Sequence, residues 1–152
     1  MNGQAATRTG GTMLAFDFGT RRIGVAVGER ETGTAHPLET IAAEDNQTRF
    51  ARIGAMILEW RPAELVVGLP LSMDGTEHEM TLRCQRFANQ LRGRYNLPVH
   101  FVDERLTSVD AEMSLREAGG DRFDKAAIDA LAAQRILLDH LARKDSTDHD
   151  AT

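Results

Sequence analysis

An acid in the middle of an apolar run constrains this chain more than any other feature. Met13-Leu14-Ala15-Phe16-Asp17-Phe18-Gly19-Thr20 reads as a strand, so Asp17 puts a carboxylate among residues bound for a core. Burying a lone carboxylate costs several kcal/mol even after relaxation, and the position therefore calls for a metal ion, an arginine or a shifted pKa. Gly19-Thr20 ends the run in a tight turn, Arg21-Arg22 follow, and Ile23-Gly24-Val25-Ala26-Val27-Gly28 reads as a second apolar strand folding back on the first. The small residues beside Asp17 leave room for a metal or a phosphate. A carboxylate bonded only to turn amides is the simpler alternative, and two further acids weigh against it.

The second acid lies in Pro98-Val99-His100-Phe101-Val102-Asp103-Glu104, a short strand ending in two carboxylates before Arg105-Leu106 leads through Thr107-Ser108 into a helix. Side chains alternate along a strand, so at most one of Asp103 and Glu104 shares a pocket with Asp17, and spacing does not choose between them. The third is Asp129, in the helical stretch Lys125-Ala126-Ala127-Ile128-Asp129-Ala130-Leu131-Ala132-Ala133. At about 100° per residue Lys125, Asp129, Ala133 and Ile136 share one stripe, which directs the acid toward the layer below. Three carboxylates on a first strand, a later strand end and a late helix suit Mg²⁺ or Mn²⁺, which prefer hard oxygen ligands. A pair of such ions stabilises the attacking and leaving oxygens of an in-line phosphodiester displacement. No rival constellation is visible: His36, His78, His100, His140 and His149 show no zinc-ligand spacing, Cys84 is the single cysteine, and no nucleophile elbow or P-loop string occurs.

Four ordered motifs together resemble the YqgF family, also called RuvX. They are Asp17-Phe18-Gly19-Thr20-Arg21-Arg22-Ile23-Gly24-Val25-Ala26-Val27-Gly28, then Val67-Gly68-Leu69-Pro70-Leu71 with Asp74-Gly75-Thr76-Glu77, then Asp103-Glu104-Arg105-Leu106-Thr107-Ser108, then Lys125 to Ala133. The resemblance runs from about Met13 to Arg143. It implies an α/β, ribonuclease H-like fold with a mixed central sheet, and a metal-dependent nuclease that processes the 5′ end of the 16S ribosomal RNA precursor. The alternative that the resemblance carries is a Holliday-junction resolvase acting on branched DNA. By the family pattern the catalytic and metal-binding acids are Asp17, Glu104 and Asp129. Thr20, Arg21, Arg22, Asp74, Thr76, Arg83, Arg86, Arg105 and Lys125 then fall on the substrate side, facing nucleic acid and, through it, ribosomal particles.

The rest of the sequence agrees with a single domain of this kind. A chain of 152 residues, 41% hydrophobic, is long enough for one real core. The lone cysteine fits a reducing cytoplasm, and no stretch approaches the ~20 apolar residues of a membrane span. Residues 1–12 read as a disordered lead without a signal sequence, 13–143 as the nuclease domain, and 144–152 as a frayed polar tail. The domain reads as strand, strand, strand, helix, strand, helix, strand, helix, helix. Its third strand lies near Thr34 to Ala42, irregular or at an edge because of Pro37; its first helix spans Asp45 to Trp60; and its fourth strand is Glu64 to Leu69.

The net charge of −5 opposes a nucleic-acid substrate unless cations cluster. In the helix from about Glu77 to Tyr95, Cys84, Phe87, Ala88, Leu91 and Tyr95 form a core face, and Arg83, Arg86, Gln90 and Arg94 form a stripe beside it. That stripe tracks phosphates or is a solvated face. Arg21, Arg22 and Arg105 each adjoin a proposed acid and either neutralise substrate or pair with the acids. Thr76 with Glu79 reads as a capping box, whose amides can hold a phosphate. Two other classes use similar parts. The Asp-x-Gly-Thr turn resembles the phosphate loop of actin-like ATPases, which enclose nucleotide between two such domains; a non-catalytic binding module would gain nothing from acids facing phosphate. The chain is expected to act as a monomer or a homodimer, with Mg²⁺ or Mn²⁺ as its cation.

Overall fold

The structure is a computed structural model that describes residues 11–70, 79–103 and 125–151. Among the described residues five strands form one mixed sheet in the order β3-β2-β1-β4-β5, with β1 (Thr12–Phe18) central, β2 (Ile23–Glu29) and β3 (Thr34–Ile41) on one side, and β4 (Glu64–Leu69) and β5 (Val99–Asp103) on the other. β1, β2 and β3 make an antiparallel meander, whereas β4 and β5 add parallel to β1. The parallel additions follow from the helices between those strands, since parallel neighbours need a crossover. The crossovers are α1 (Asn46–Trp60) and α2 (Glu79–Tyr95), and α3 (Lys125–Ala151) closes the described chain.

Pro37 cannot donate to a ladder on both sides, and β3 is indeed an edge strand. Its register against β2 slips between Val25 and Ala26, so that Glu39 faces Val25 and Pro37 faces Ala26 with Leu38 as the extra residue. α1 starts where Asp45 accepts the Thr48 amide at 2.8 Å, a bond that also holds the Asp45 carboxyl below its ordinary pKa. It ends at Arg61 in the left-handed conformation, whose N–H donates to Ile57 O, just before Pro62. The final helix runs on through Ala151, past Arg143, where the sequence reading ends the folded domain. The polar tail contains neither Gly nor Pro to stop it, and adding residues to an existing helix avoids the cost of nucleation. β1 likewise begins at Thr12, one residue before the expected border. The helix expected after Ser108 lies outside the described residues. No helix among the described residues is long and apolar enough to cross a membrane.

Alternation along β1 divides the core in two. Leu14 and Phe16 face α1 and α2, joining Val25, Leu65, Val67, Ile53, Phe87 and Leu91. Met13 and Ala15 face α3, joining Ala26, Val66, Val102, Ala133, Ile136 and Leu137. The first face is filled by large side chains. Phe87 of α2 meets Phe16 edge-on at 5.8 Å, Phe18 at 4.8 Å and Phe50 of α1 at 5.9 Å, which locks both helices onto the carboxyl end of β1. The second face mixes Met13, Ile136 and Leu137 with Ala15, Ala26 and Ala133, and the alanines let α3 approach the sheet closely. On the inner face of α1, Arg49, Phe50, Ile53 and Met56 are buried and Ile57 and Trp60 are partly so. On α2 the expected face holds, with Thr81 added and Tyr95 partly exposed.

Candidate active site

Asp17 is the next-to-last residue of β1, at the carboxyl end of the parallel strands where α/β proteins hold ligands. The two-residue period that sends Met13 and Ala15 toward α3 sends Asp17 the same way, and the residue is partly exposed. Its cross-strand partner is Gly24 of β2. A Cβ on Gly24 would fall 2.0 Å from the carbonyl oxygen of Asp129 and 2.3 Å from its carbon, so the backbone of α3 rests directly on this glycine. Directly opposed residues of an antiparallel pair lie roughly 4.5–5.5 Å apart at Cα, and Asp17 and Asp129 therefore flank one glycine at one corner of the sheet. The stripe that carries Asp129 faces inward as its spacing predicts: Ala133 and Ile136 are fully buried.

The charge of Asp129 is already balanced in part. Arg22 Nε donates to Asp129 Oδ2 at 2.5 Å, with 32% and 20% of the two side chains exposed, so of the two roles open to Arg22 the structure displays pairing with an acid. Asp17 and Asp129 offer only carboxylate oxygens, which fits a hard divalent cation such as Mg²⁺ or Mn²⁺. Two carboxylates leave such an ion short of protein ligands, and the third family acid, Glu104, lies outside the described residues. β5 nonetheless bears on the choice between its two acids. Phe101 packs against the α1–α2 core and Val102 belongs to the α3 core, so alternation places Asp103 on the face away from Asp17.

Beside this corner an open groove of about 430 Å³ runs between α1 and α2, lined among others by Phe18, Thr20, Arg49, Arg83, Arg86 and Gln90. It holds three of the four stripe residues of α2. Arg94 is not among them; its guanidinium sits 4.1 Å from the centre of the Phe50 ring, one turn and more beyond the groove. Arg83 is bonded to Glu79 at 3.0 Å in an exposed i,i+4 pair that water and salt weaken readily. Thr20 and Arg21 are exposed in the β1–β2 turn. Arg105, Asp74 and Thr76, and with Thr76 the expected capping box, lie outside the described residues, as does the Lys125 side chain. The Thr81 hydroxyl of α2 donates to the Pro70 carbonyl after β4.

Arg49 is the residue that sequence reasoning missed. It is 3% exposed, lies over the Phe18 ring at 5.3 Å, and donates from Nη2 to Gly19 O at 2.7 Å and from Nε to Ala43 O at 2.5 Å. Burial lowers its pKa from the ordinary guanidinium value, though a guanidinium so far above neutrality stays charged. It thereby fixes the turn that carries Thr20, Arg21 and Arg22. The signal was present: Arg49, Ile53 and Met56 recur at helical spacing, which puts the arginine on the buried stripe. The histidines also need correction. They show no ligand spacing in sequence, yet the fold brings His100 and His140 to Glu64 at the opposite end of the sheet from the carboxylate corner.

Comparison with known proteins agrees with this geometry. Residues 11–143 match the family described as RuvX, Holliday junction resolvase. A relative from Dechloromonas aromatica, named "Putative pre-16S rRNA nuclease", is 58% identical over 128 residues, covering 84% of this chain and 88% of its own. Relatives of the same name from Methylobacillus flagellatus and Escherichia coli O157:H7 are each 51% identical, covering 88% and 84% of this chain and 92% and 93% of theirs. Among solved structures, Thermus thermophilus RuvC in complex with a Holliday junction substrate superposes with a TM-score of 0.53 at 16% identity, over 90% of this chain and 97% of that one. That likeness identifies the fold as ribonuclease H-like. With the family match spanning nearly the whole chain and relatives above 50% identity, the protein belongs to the RuvX family.

Proposed function

We propose that the protein is a divalent-metal-dependent nuclease that hydrolyses phosphodiester bonds at the 5′ end of the 16S ribosomal RNA precursor in the cytoplasm, acting on ribosomal particles or their RNA. The observation that carries this reading is the convergence of Asp17 and Asp129 on either side of Gly24, in a chain whose relatives are named for that reaction. Asp17, Asp129 and, by the family pattern, Glu104 would hold the cations, which when bound would supply charge stabilisation for the attacking and leaving oxygens. The remaining work belongs to the protein. Arg22 keeps Asp129 oriented and its charge balanced while the site awaits substrate. Arg49 holds the Gly19 carbonyl, so the exposed Thr20 and Arg21 present a fixed turn to the phosphate backbone. Arg83 and Arg86 line the groove leading to that turn and offset locally the net charge of −5. Asp74, Thr76, Arg105 and Lys125, singled out from the motifs, join them as substrate-binding residues in this proposal. Residues 13–143 form the working domain.

The family description also names Holliday-junction resolution, and one experiment separates the two substrates. The purified protein is incubated with a 16S precursor transcript and, in parallel, with a four-way DNA junction at matched salt, each with Mg²⁺, with Mn²⁺ and with chelator. Metal-dependent cleavage near the mature 5′ end with the junction left intact supports the proposal. Paired cuts in the junction alone would replace it with the resolvase reading, which requires two active sites and hence a symmetric dimer. No cleavage of either would return the protein to the class of binding modules.

A further inference from the structure

At the end of the sheet remote from the acids, three elements bring together ligand atoms of a different chemical kind. Glu64 opens β4 and His100 is the second residue of β5. His140 continues the buried stripe of α3 that includes Ala133, Ile136 and Leu137. Val66 and His100 are paired in register, and Glu64, two residues before Val66, lies on the same α3-facing side of the sheet. His100 Nε2 is 2.8 Å and His140 Nε2 3.5 Å from the same oxygen, Glu64 Oε1, and the three ligand atoms all lie within 4.8 Å of one another. Glu64 and His140 are each 7% exposed. The two imidazole rings are stacked, with centroids 5.0 Å apart and planes 26° apart. Despite these neighbours, the buried Glu64 Oε1 makes no hydrogen bond of acceptable geometry. Orphaned carboxylate oxygens are uncommon inside proteins, and a bound cation is one way to satisfy them.

We propose that Glu64, His100 and His140 form a second divalent-cation site, for a transition metal of the zinc class and separate from the catalytic corner. Two imidazoles and one carboxylate are a donor set that zinc accepts and that magnesium, which prefers oxygen, does not. Zinc bonds of about 2.0–2.2 Å in tetrahedral geometry separate ligand atoms by about 3.4 Å, so the observed spacing needs adjustments of an ångström or so. The second carboxylate oxygen, Oε2, is ion-paired with Arg30, which orients Glu64 as an outer partner orients a ligand. The His100 side chain is 34% exposed, leaving a fourth position open toward water. Glu64 is level with Met13 on β1, four residues from Asp17, or about 13 Å at ~3.3 Å per residue. One ion therefore cannot serve both sites. A bound cation would tie β4 and β5 to the helix whose other end carries Asp129.

The test titrates Zn²⁺ into the full chain in competition with a chromophoric chelator, with millimolar Mg²⁺ present to occupy the carboxylate corner. The expected result is one equivalent of Zn²⁺ with two imidazole nitrogens in its X-ray absorption spectrum, and a rise in Tm on binding. Affinity should fall at least about tenfold in His100→Ala and in Glu64→Gln, and be unchanged in Asp17→Asn. His100→Ala is the decisive variant because its side chain is the most exposed of the three. Absence of Zn²⁺ binding, binding that survives both His100→Ala and Glu64→Gln, or binding lost in Asp17→Asn would each overturn the proposal.

Discussion

Gly24→Ala should damage the protein in two ways that can be measured separately. The added Cβ would sit 2.0 Å from Asp129 O, 2.3 Å from its carbon and 3.0 Å from the Ala130 nitrogen, and all three are backbone atoms of α3. Ordinary contact begins near 3.4 Å, so the first turns of the helix must retreat by about 1.4 Å, and no rotamer change relieves the clash. Overpacking of this kind costs about 1–3 kcal/mol, and in a domain of this size each kcal/mol lowers Tm by about 2–4 °C. The displaced segment carries Asp129, and a misplacement of about 1 Å at a catalytic group lowers the rate on the order of 100-fold. Gly93→Ala is the matched control. Gly93 lies inside α2 with nothing within 4 Å of the added Cβ, so the same substitution should stabilise by about 0.5–1 kcal/mol and leave cleavage intact. Urea denaturation gives the stability and single-turnover cleavage at saturating Mg²⁺ gives the rate. A Gly24→Ala variant with wild-type rate and stability would show that α3 does not rest on this glycine, and with that the placement of Asp129 beside Asp17 would fail.

Three further outcomes are expected. Asp17→Asn should abolish metal-dependent cleavage yet leave the circular dichroism spectrum unchanged, because it removes a cation ligand at the partly exposed end of β1 and no core packing; near-wild-type cleavage would take Asp17 out of the mechanism. Arg83→Gln with Arg86→Gln should weaken substrate binding and flatten the plot of log K against log salt by about 1.4–1.8, at roughly 0.7–0.9 per phosphate contact, while Arg94→Gln, whose guanidinium rests on Phe50, leaves the slope alone; equal slopes in both variants would make the groove arginines a solvated face. Glu104→Gln should reduce turnover far more than Asp103→Asn, since Asp103 lies on the face of β5 away from Asp17; equal rates in the two would refute the strand register.

Hydrophobic pattern and turn chemistry determined the elements of this protein. β4 has the bounds that its apolar run predicts, Pro37 marks the edge strand, and the break at Arg61-Pro62 ends α1. Those signals are local: strand alternation, helical spacing and forbidden backbone conformations act over a few residues and need no knowledge of distant neighbours. The stripe through Asp129 was legible for the same reason, as was the oddity of Asp17 in an apolar strand. Tertiary structure decided which groups meet. That Asp17 and Asp129 share a corner depends on Gly24, which lies on neither element, and nothing in its own sequence context says that a helix backbone will rest on it. Arg49 became a turn-holding group only when Gly19 and Ala43 carried their carbonyls to it from outside its own helix. Glu64, His100 and His140 lack any ligand spacing because they are neighbours through sheet register and helix packing rather than through one local motif. Contacts across a sheet are fixed by which strands pair and in what register, and burial of the two faces as a whole selects that pairing, so no single segment can encode it.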